Sequence, residues 1–168
     1  MNASDLKGRA VVTLSDATKV GQVDETLFDA QYRTVLGFRV SSGVFHPNEA
    51  VLRSQVSAIG ADAITLPNPS ALNHEDRFPE LQGAVPLSKV VGTKMVTPSG
   101  ELVGTVSAVT LDESAQNVVT YTLATSILDR MRHGQPQVGV GDVTSVGAEG
   151  IMIITNEAAE SVRTASGN

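Results

Sequence analysis

The stretch Val56-Ser57-Ala58-Ile59-Gly60-Ala61-Asp62-Ala63-Ile64 returns later in the chain as Val143-Thr144-Ser145-Val146-Gly147-Ala148-Glu149-Gly150-Ile151. Upstream of both, the same landmarks recur in the same order. Val20-Gly21-Gln22-Val23 matches Val103-Gly104-Thr105-Val106, and Phe28-Asp29 matches Leu111-Asp112. Val35-Leu36-Gly37-Phe38-Arg39-Val40 matches Val118-Val119-Thr120-Tyr121-Thr122-Leu123. Gly8 corresponds to Gly92, with one residue skipped between these glycines and the Val-Gly pairs. Glycines, apolar positions and turn acids that keep their order twice over mark an internal duplication, and a repeat has to be recognised before any fold is assigned.

Each copy reads as strands. Leu36, Phe38 and Val40 alternate with Val35, Gly37 and Arg39, and Val119, Tyr121 and Leu123 alternate with Val118, Thr120 and Thr122. A period of two in β-branched and aromatic residues indicates a half-buried strand. Ile64 with Leu66, and Ile151 with Ile153, continue that pattern. Pro98-Ser99-Gly100 and the polar run Asp112 to Asn117 supply turn chemistry. Gly139-Val140-Gly141 reads as a bend in a barrel strand. Small sheets cannot leave open edges cheaply, so closure into a barrel is favoured. The expected fold class is all-β: two tandem small β-barrels of about six strands each, with at most one short helix. The boundaries are 5–68 and 87–157 for the barrels, 69–86 for a linker and 158–168 for a flexible tail. Leu72, Phe78 and Leu81 are apolar enough to dock the linker on a barrel. Ser126 to Gly134 is the best helix candidate, with Ser126 as cap and Gly134 as stop.

The ordered set (Gly8, Val20 to Val23, Asp29 and Val56 to Ile64, then Gly92, Val103 to Val106, Asp112 and Val143 to Ile151) resembles the PRC-barrel family. That resemblance implies a small β-barrel per copy and no particular activity. The family includes the cytoplasmic domain of the photosynthetic reaction-centre H subunit and RimM-type ribosome-maturation factors.

Composition narrows the function classes. Of the 168 residues, 41% are hydrophobic and 18% charged, which suits a folded core rather than a disordered chain. The absence of Cys excludes disulfides, thiolate metal sites and cysteine nucleophiles. Lys and Arg number 12 against 18 Asp and Glu, a net charge of -6 that argues against a general nucleic-acid binder. Met1 to Val12 has no basic segment followed by an apolar one, and no apolar run approaches membrane-spanning length, so the expectation is a cytoplasmic protein without a membrane span.

The chemistry-bearing residues are sparse. His46, His74 and His133 have no second histidine at helical spacing, and no cofactor is expected. His74-Glu75-Asp76 reads as solvated linker. Asp24, Glu25 and Asp29, partly echoed by Asp112 and Glu113, lack the spacing of a calcium loop and read as turn residues. No catalytic residue is assigned. Arg130, Arg132 and His133 form the tightest basic cluster, a candidate partner contact or simply cations favoured at a helix end. The expected role is a non-enzymatic protein-interaction module with an unidentified protein partner, self-association being a variant. The alternatives are a ribosome-associated factor and a ligand-binding protein or enzyme with a site between the barrels, for which His46 and His74 would have to converge with carboxylates.

Overall fold

The computed structural model describes residues 1–43, 48–124, 131 and 134–165. In the first half, β1 (Ala10–Thr13), β2 (Thr18–Phe28), β3 (Val35–Ser41), β4 (Glu49–Leu52), β5 (Ala58–Ile59) and β6 (Ala63–Leu66) follow one another in sequence. Their spatial order is β5-β6-β1-β2-β3-β4, extended at the β4 edge by β7 (Asn73–His74). The second half repeats the plan with β9 (Lys94–Val96), β10 (Leu102–Leu111), β11 (Val118–Leu123), β12 (Gln137–Gly139), β13 (Val143–Gly147) and β14 (Ile151–Ile154), ordered β12-β11-β10-β9-β14-β13. Each half also contains the same parallel pair, β1 with β6 and β9 with β14, inside an otherwise antiparallel sheet. Among the described residues, neither ladder closes into a ring. The sheet ends β4 and β5 are joined by a 3-10 turn at Arg53–Gln55, and β12 and β13 by one at Val140–Asp142. Gly139-Val140-Gly141 thus leads out of a strand into a connecting turn.

The duplication is visible bond by bond. Val23 pairs with Val40 and Thr26 with Phe38; Val106 pairs with Leu123 and Val109 with Tyr121. The Asp29 carboxylate accepts the Arg33 and Thr34 amides at 2.8 and 3.1 Å, and Asp112 accepts those of Gln116 and Asn117 at 2.9 and 3.3 Å. These turns place Tyr32 and Ala115 at φ 57° and 52°. Gly8 and Gly92 hold φ 85° and 99°, where a side chain would be strained, and their N–H groups donate to the Val23 and Val106 carbonyls at 2.7 and 2.8 Å. Gly21 is required for another reason: a Cβ there would lie 2.6 Å from the Ser41 carbonyl oxygen.

One part of the repeat alignment is corrected. Ile59 faces Ile64 across the β5–β6 hairpin, whereas Val146 faces Met152 across β13–β14. The second hairpin therefore holds one extra residue, and Met152, not Ile151, is the counterpart of Ile64. A one-residue slip moves a strand's side chains to opposite faces. Accordingly Met152 and Ile154 are fully buried, while Ile151 is 42% exposed.

The halves are interlocked rather than strung like beads. Asn2 bridges to Thr110, and Met1 exchanges two hydrogen bonds with Leu111 in β10 of the other half. Reciprocally, β8 (Val85–Pro86) pairs with Phe28 and Leu27 of β2. The helical turns that follow, Ala3–Leu6 and α1 (Leu87–Val90), bury Leu6 and Val90 completely. At the centre, Thr34 bridges to Asn117, the Val35 N–H donates to the Gln116 carbonyl, and the Val118 N–H donates to the Arg33 carbonyl. This is a local two-fold relation. One apolar cluster runs through both halves, from Ala3 and Leu6 through Phe28, Phe38 and Tyr121 to Ile154. The expectation that each half closes around its own core is replaced by a shared one.

The tail differs from expectation as well. Residues Asn156–Ala165 form helix α2, not a flexible end. The Thr155 hydroxyl accepts the Ala158 N–H as a cap, and Ala158, Ala159 and Val162 bury one face into the shared core. Arg163 anchors the outer face to Glu101 at 2.5 Å. The composition is small and polar, but Ala and Glu are good helix formers at i and i+4 spacing. The helix expected over Ser126 to Gly134 lies outside the described residues except Met131 and Gly134.

Candidate functional site

The segment between the halves is a strap over the outer face of the first sheet. Leu27, Leu36, Ala50 and Leu52 present apolar side chains there, and Leu81, Phe78 and Ala84 cover them. At the equivalent register positions the second half has Thr110, Val119, Gln137 and Gly139. Covering a leucine is worth about 1.5–3 kcal/mol, and threonine or glycine offers far less. That difference explains why the strap folds onto one half only.

Three 3-10 turns, Pro69–Ala71, Glu75–Arg77 and Pro79–Leu81, shape the strap. The Asn68 side chain accepts the Ser70 N–H, and β7 pairs with β4. Glu75 is the anchor: its N–H donates to the Asn48 carbonyl at 2.8 Å, and its carboxylate takes two hydrogen bonds from the Arg39 guanidinium at 3.0 Å each. The hydrogen bond to Glu75 holds the Arg39 guanidinium above its usual pKa, against the opposing effect of burial.

Between strap and sheet edge lies a cleft of about 570 Å³, with Phe78 and Leu81 among its apolar walls and Asn48, His74, Asp76 and Gln82 around them. Strap residues Phe78 and Leu81 were legible as docking residues in the sequence. Asn48, which stands at φ 65° and reaches the cleft only because β4 starts there, carried no sequence signal.

His74, Glu75 and Asp76 do line one cleft, but Glu75 is held by Arg39. Among the described residues, no group of three His, Cys, Asp or Glu is placed to hold a metal ion. His46 lies outside the described residues, as do Arg130, Arg132 and His133, so the proposed basic contact has no described geometry. Of the acids read as turn residues, Asp29 and Asp112 cap their own turns, whereas Asp24 and Glu25 lie inside β2, where Glu25 accepts the Ser88 N–H at the start of α1 at 3.1 Å. Burial raises the Asp112 pKa, but hydrogen bonds from Gln116, Asn117 and Ser114 outweigh it and hold the carboxyl below its ordinary value.

Two further arginines of the first half are bonded across the seam. Arg33 donates to the Val143 carbonyl at 2.7 Å, and Arg53 to the Ser114 and Ala115 carbonyls at 2.6 and 3.3 Å. Burial depresses the Arg53 pKa, partly offset by Asp112.

This architecture defines a protein of two barrel-like β units related by duplication. The family model for the PRC-barrel domain matches residues 1–73, so the first half of the chain is similar to that domain. The second sheet has the same strand plan and fits a tandem of that domain. No curated protein matches the chain. Among the described residues, no helix is long and apolar enough to cross a membrane.

Proposed function

We infer that the protein is a non-enzymatic interaction module that presents the strap cleft to a protein partner. The observation that carries this reading is the asymmetry of the duplication. Two near-equivalent sheets share one core, yet among the described residues only the first carries a strap with a cleft formed beside it. Apolar side chains flanked by a few polar groups are the usual make-up of a recognition pocket. Glu75 at the cleft and its partner Arg39, like Arg33 and Arg53 at the seam, are engaged in holding the fold together.

The reading is tested by placing a photocrosslinking side chain at Gln82, beside the cleft, and separately at Glu113 on an exposed loop of the other half. A discrete adduct in cells at Gln82 and none at Glu113 is the expected result. Equal labelling at both positions, or no adduct at Gln82, contradicts it.

A further inference from the structure

The copies diverge at a second place. In the first half, Arg9 spans the gap between the turn at residues 3–6 and the β5–β6 hairpin, donating to the Gly60 carbonyl at 2.8 Å and to the Asp5 carbonyl at 3.3 Å. Its counterpart in the second half is Thr93, which is buried and turns its hydroxyl back to the Lys89 carbonyl at 3.4 Å. With Thr93 in place of that arginine, the gap between α1 and the β13–β14 hairpin stands as a cleft of about 460 Å³.

The lining has changed character along with the plug. Lys89 replaces Asp5, Lys94 replaces Ala10, Val91 replaces Lys7, and Ile151 replaces Ala63. Val91 and Ile151 are 37% and 42% exposed, although the one-residue insertion in the hairpin is what turns Ile151 outward. Among the described residues from 85 to 157, Lys89 and Lys94 are the only lysines or arginines, both are exposed, and neither is in an ion pair. In an acidic chain, the two described lysines of this half thus converge on one groove that also displays two branched apolar side chains.

We propose that this groove docks an acidic segment of a partner protein that carries an aliphatic side chain, the aliphatic group contacting Val91 and Ile151 and the carboxylates facing Lys89 and Lys94. Charge complementarity sets the sign of the partner, and the apolar pair sets its class. A nucleic acid would be served by more cations and by aromatic stacking platforms. Here Phe28, Phe38, Tyr32 and Tyr121 are all buried. Glu149, also among the groove residues, opposes any anionic ligand, and Lys89 and Lys94 outnumber it. This proposal concerns the second half and is independent of the strap cleft.

The test follows backbone amide signals of the full chain during titration with a blocked peptide, Glu-Ile-Glu-Leu-Asp. Three comparison ligands are the same peptide with lysine at each acidic position, the same peptide with alanine for isoleucine and leucine, and a short oligothymidylate. Shifts concentrated at residues 89–94 and 148–151 are expected, weakening as salt screens the lysines. Affinity should fall about tenfold in the double variant Lys89→Glu/Lys94→Glu, since charges at a contact rim set both attraction and selectivity. The alanine peptide should bind more weakly than the parent. If the double variant fails to fold, Lys89→Gln/Lys94→Gln carries the same comparison. Absence of shifts in the groove, equal binding of the lysine peptide, unchanged affinity in the folded double variant, or tighter binding of oligothymidylate each overturns the proposal.

Discussion

The Tyr121 hydroxyl donates to the backbone carbonyl of Tyr32 at 2.6 Å, across the buried seam between the two halves. The equivalent of Tyr121 in the first half is Phe38, which has no hydroxyl, so this bond breaks the internal symmetry. Tyr121→Phe leaves the Tyr32 carbonyl without that donor and should cost about 1–3 kcal/mol, read from the midpoint of urea unfolding. Burial raises the Tyr121 pKa well above its ordinary value. A raised folded value means the contribution is complete below the unfolded value of about 10 and is lost as pH rises beyond it. Wild type should therefore lose stability in alkali more steeply than the phenylalanine variant.

Asp112 makes the opposite prediction in acid. Its folded pKa is lowered, so its contribution is present above the unfolded value of about 3.9 and disappears as pH falls through the folded one. The Gln116 and Asn117 amides should shift together in that range, and Asp112→Ala should abolish the coupled shift.

The hairpin slip is tested by adjacent residues. Met152→Ala should cost about 2–5 kcal/mol because Met152 is fully buried. Ile151→Ala should stay within about 0.5 kcal/mol, as expected of an exposed position. Equal costs measured by chemical denaturation would contradict the assigned register.

The strap depends on Arg39 and Glu75, whose side chains are 32% and 25% exposed. A partly screened pair of this kind contributes about 1 kcal/mol at most. Glu75→Ala should therefore leave global stability nearly intact and still raise hydrogen exchange across residues 73–82. No change in exchange there would show that Phe78 and Leu81 hold the strap unaided.

The exchanged turns couple the halves. Leu6 is fully buried in the shared cluster, in the turn that follows Met1 and Asn2, the residues joined to β10 of the second half. Leu6→Ala should accelerate amide exchange in β10 as well as in β2, and unfolding should remain a single transition. Independent melting of the halves would refute a common core.

Much of this was legible because it is written locally. The β-turn acids Asp29 and Asp112, the motif glycines Gly8 and Gly21, and the period of two around Phe38 and Tyr121 each express a backbone requirement that nearby residues reveal. Leu72, Phe78 and Leu81 also announced a docked linker, since apolar residues in a proline-rich connection need a surface. The strap cleft itself was hidden. It needs Asn48 and Gln82 to meet through a pairing between β4 and β7, and no spacing encodes that.

The amino-acid sequence by itself determined the duplication, the strand character of both copies and the shortage of aromatic and basic residues, because these follow from order, periodicity and composition. Tertiary structure alone decided that the copies interlock through Met1, Asn2, Val85 and Pro86, that Met152 rather than Ile151 enters the core, and that Ala158, Ala159 and Val162 dock a terminal helix. Each of those outcomes turns on which distant surface is available for burial. That is a property of the assembled chain, and a one-residue shift is enough to reverse it.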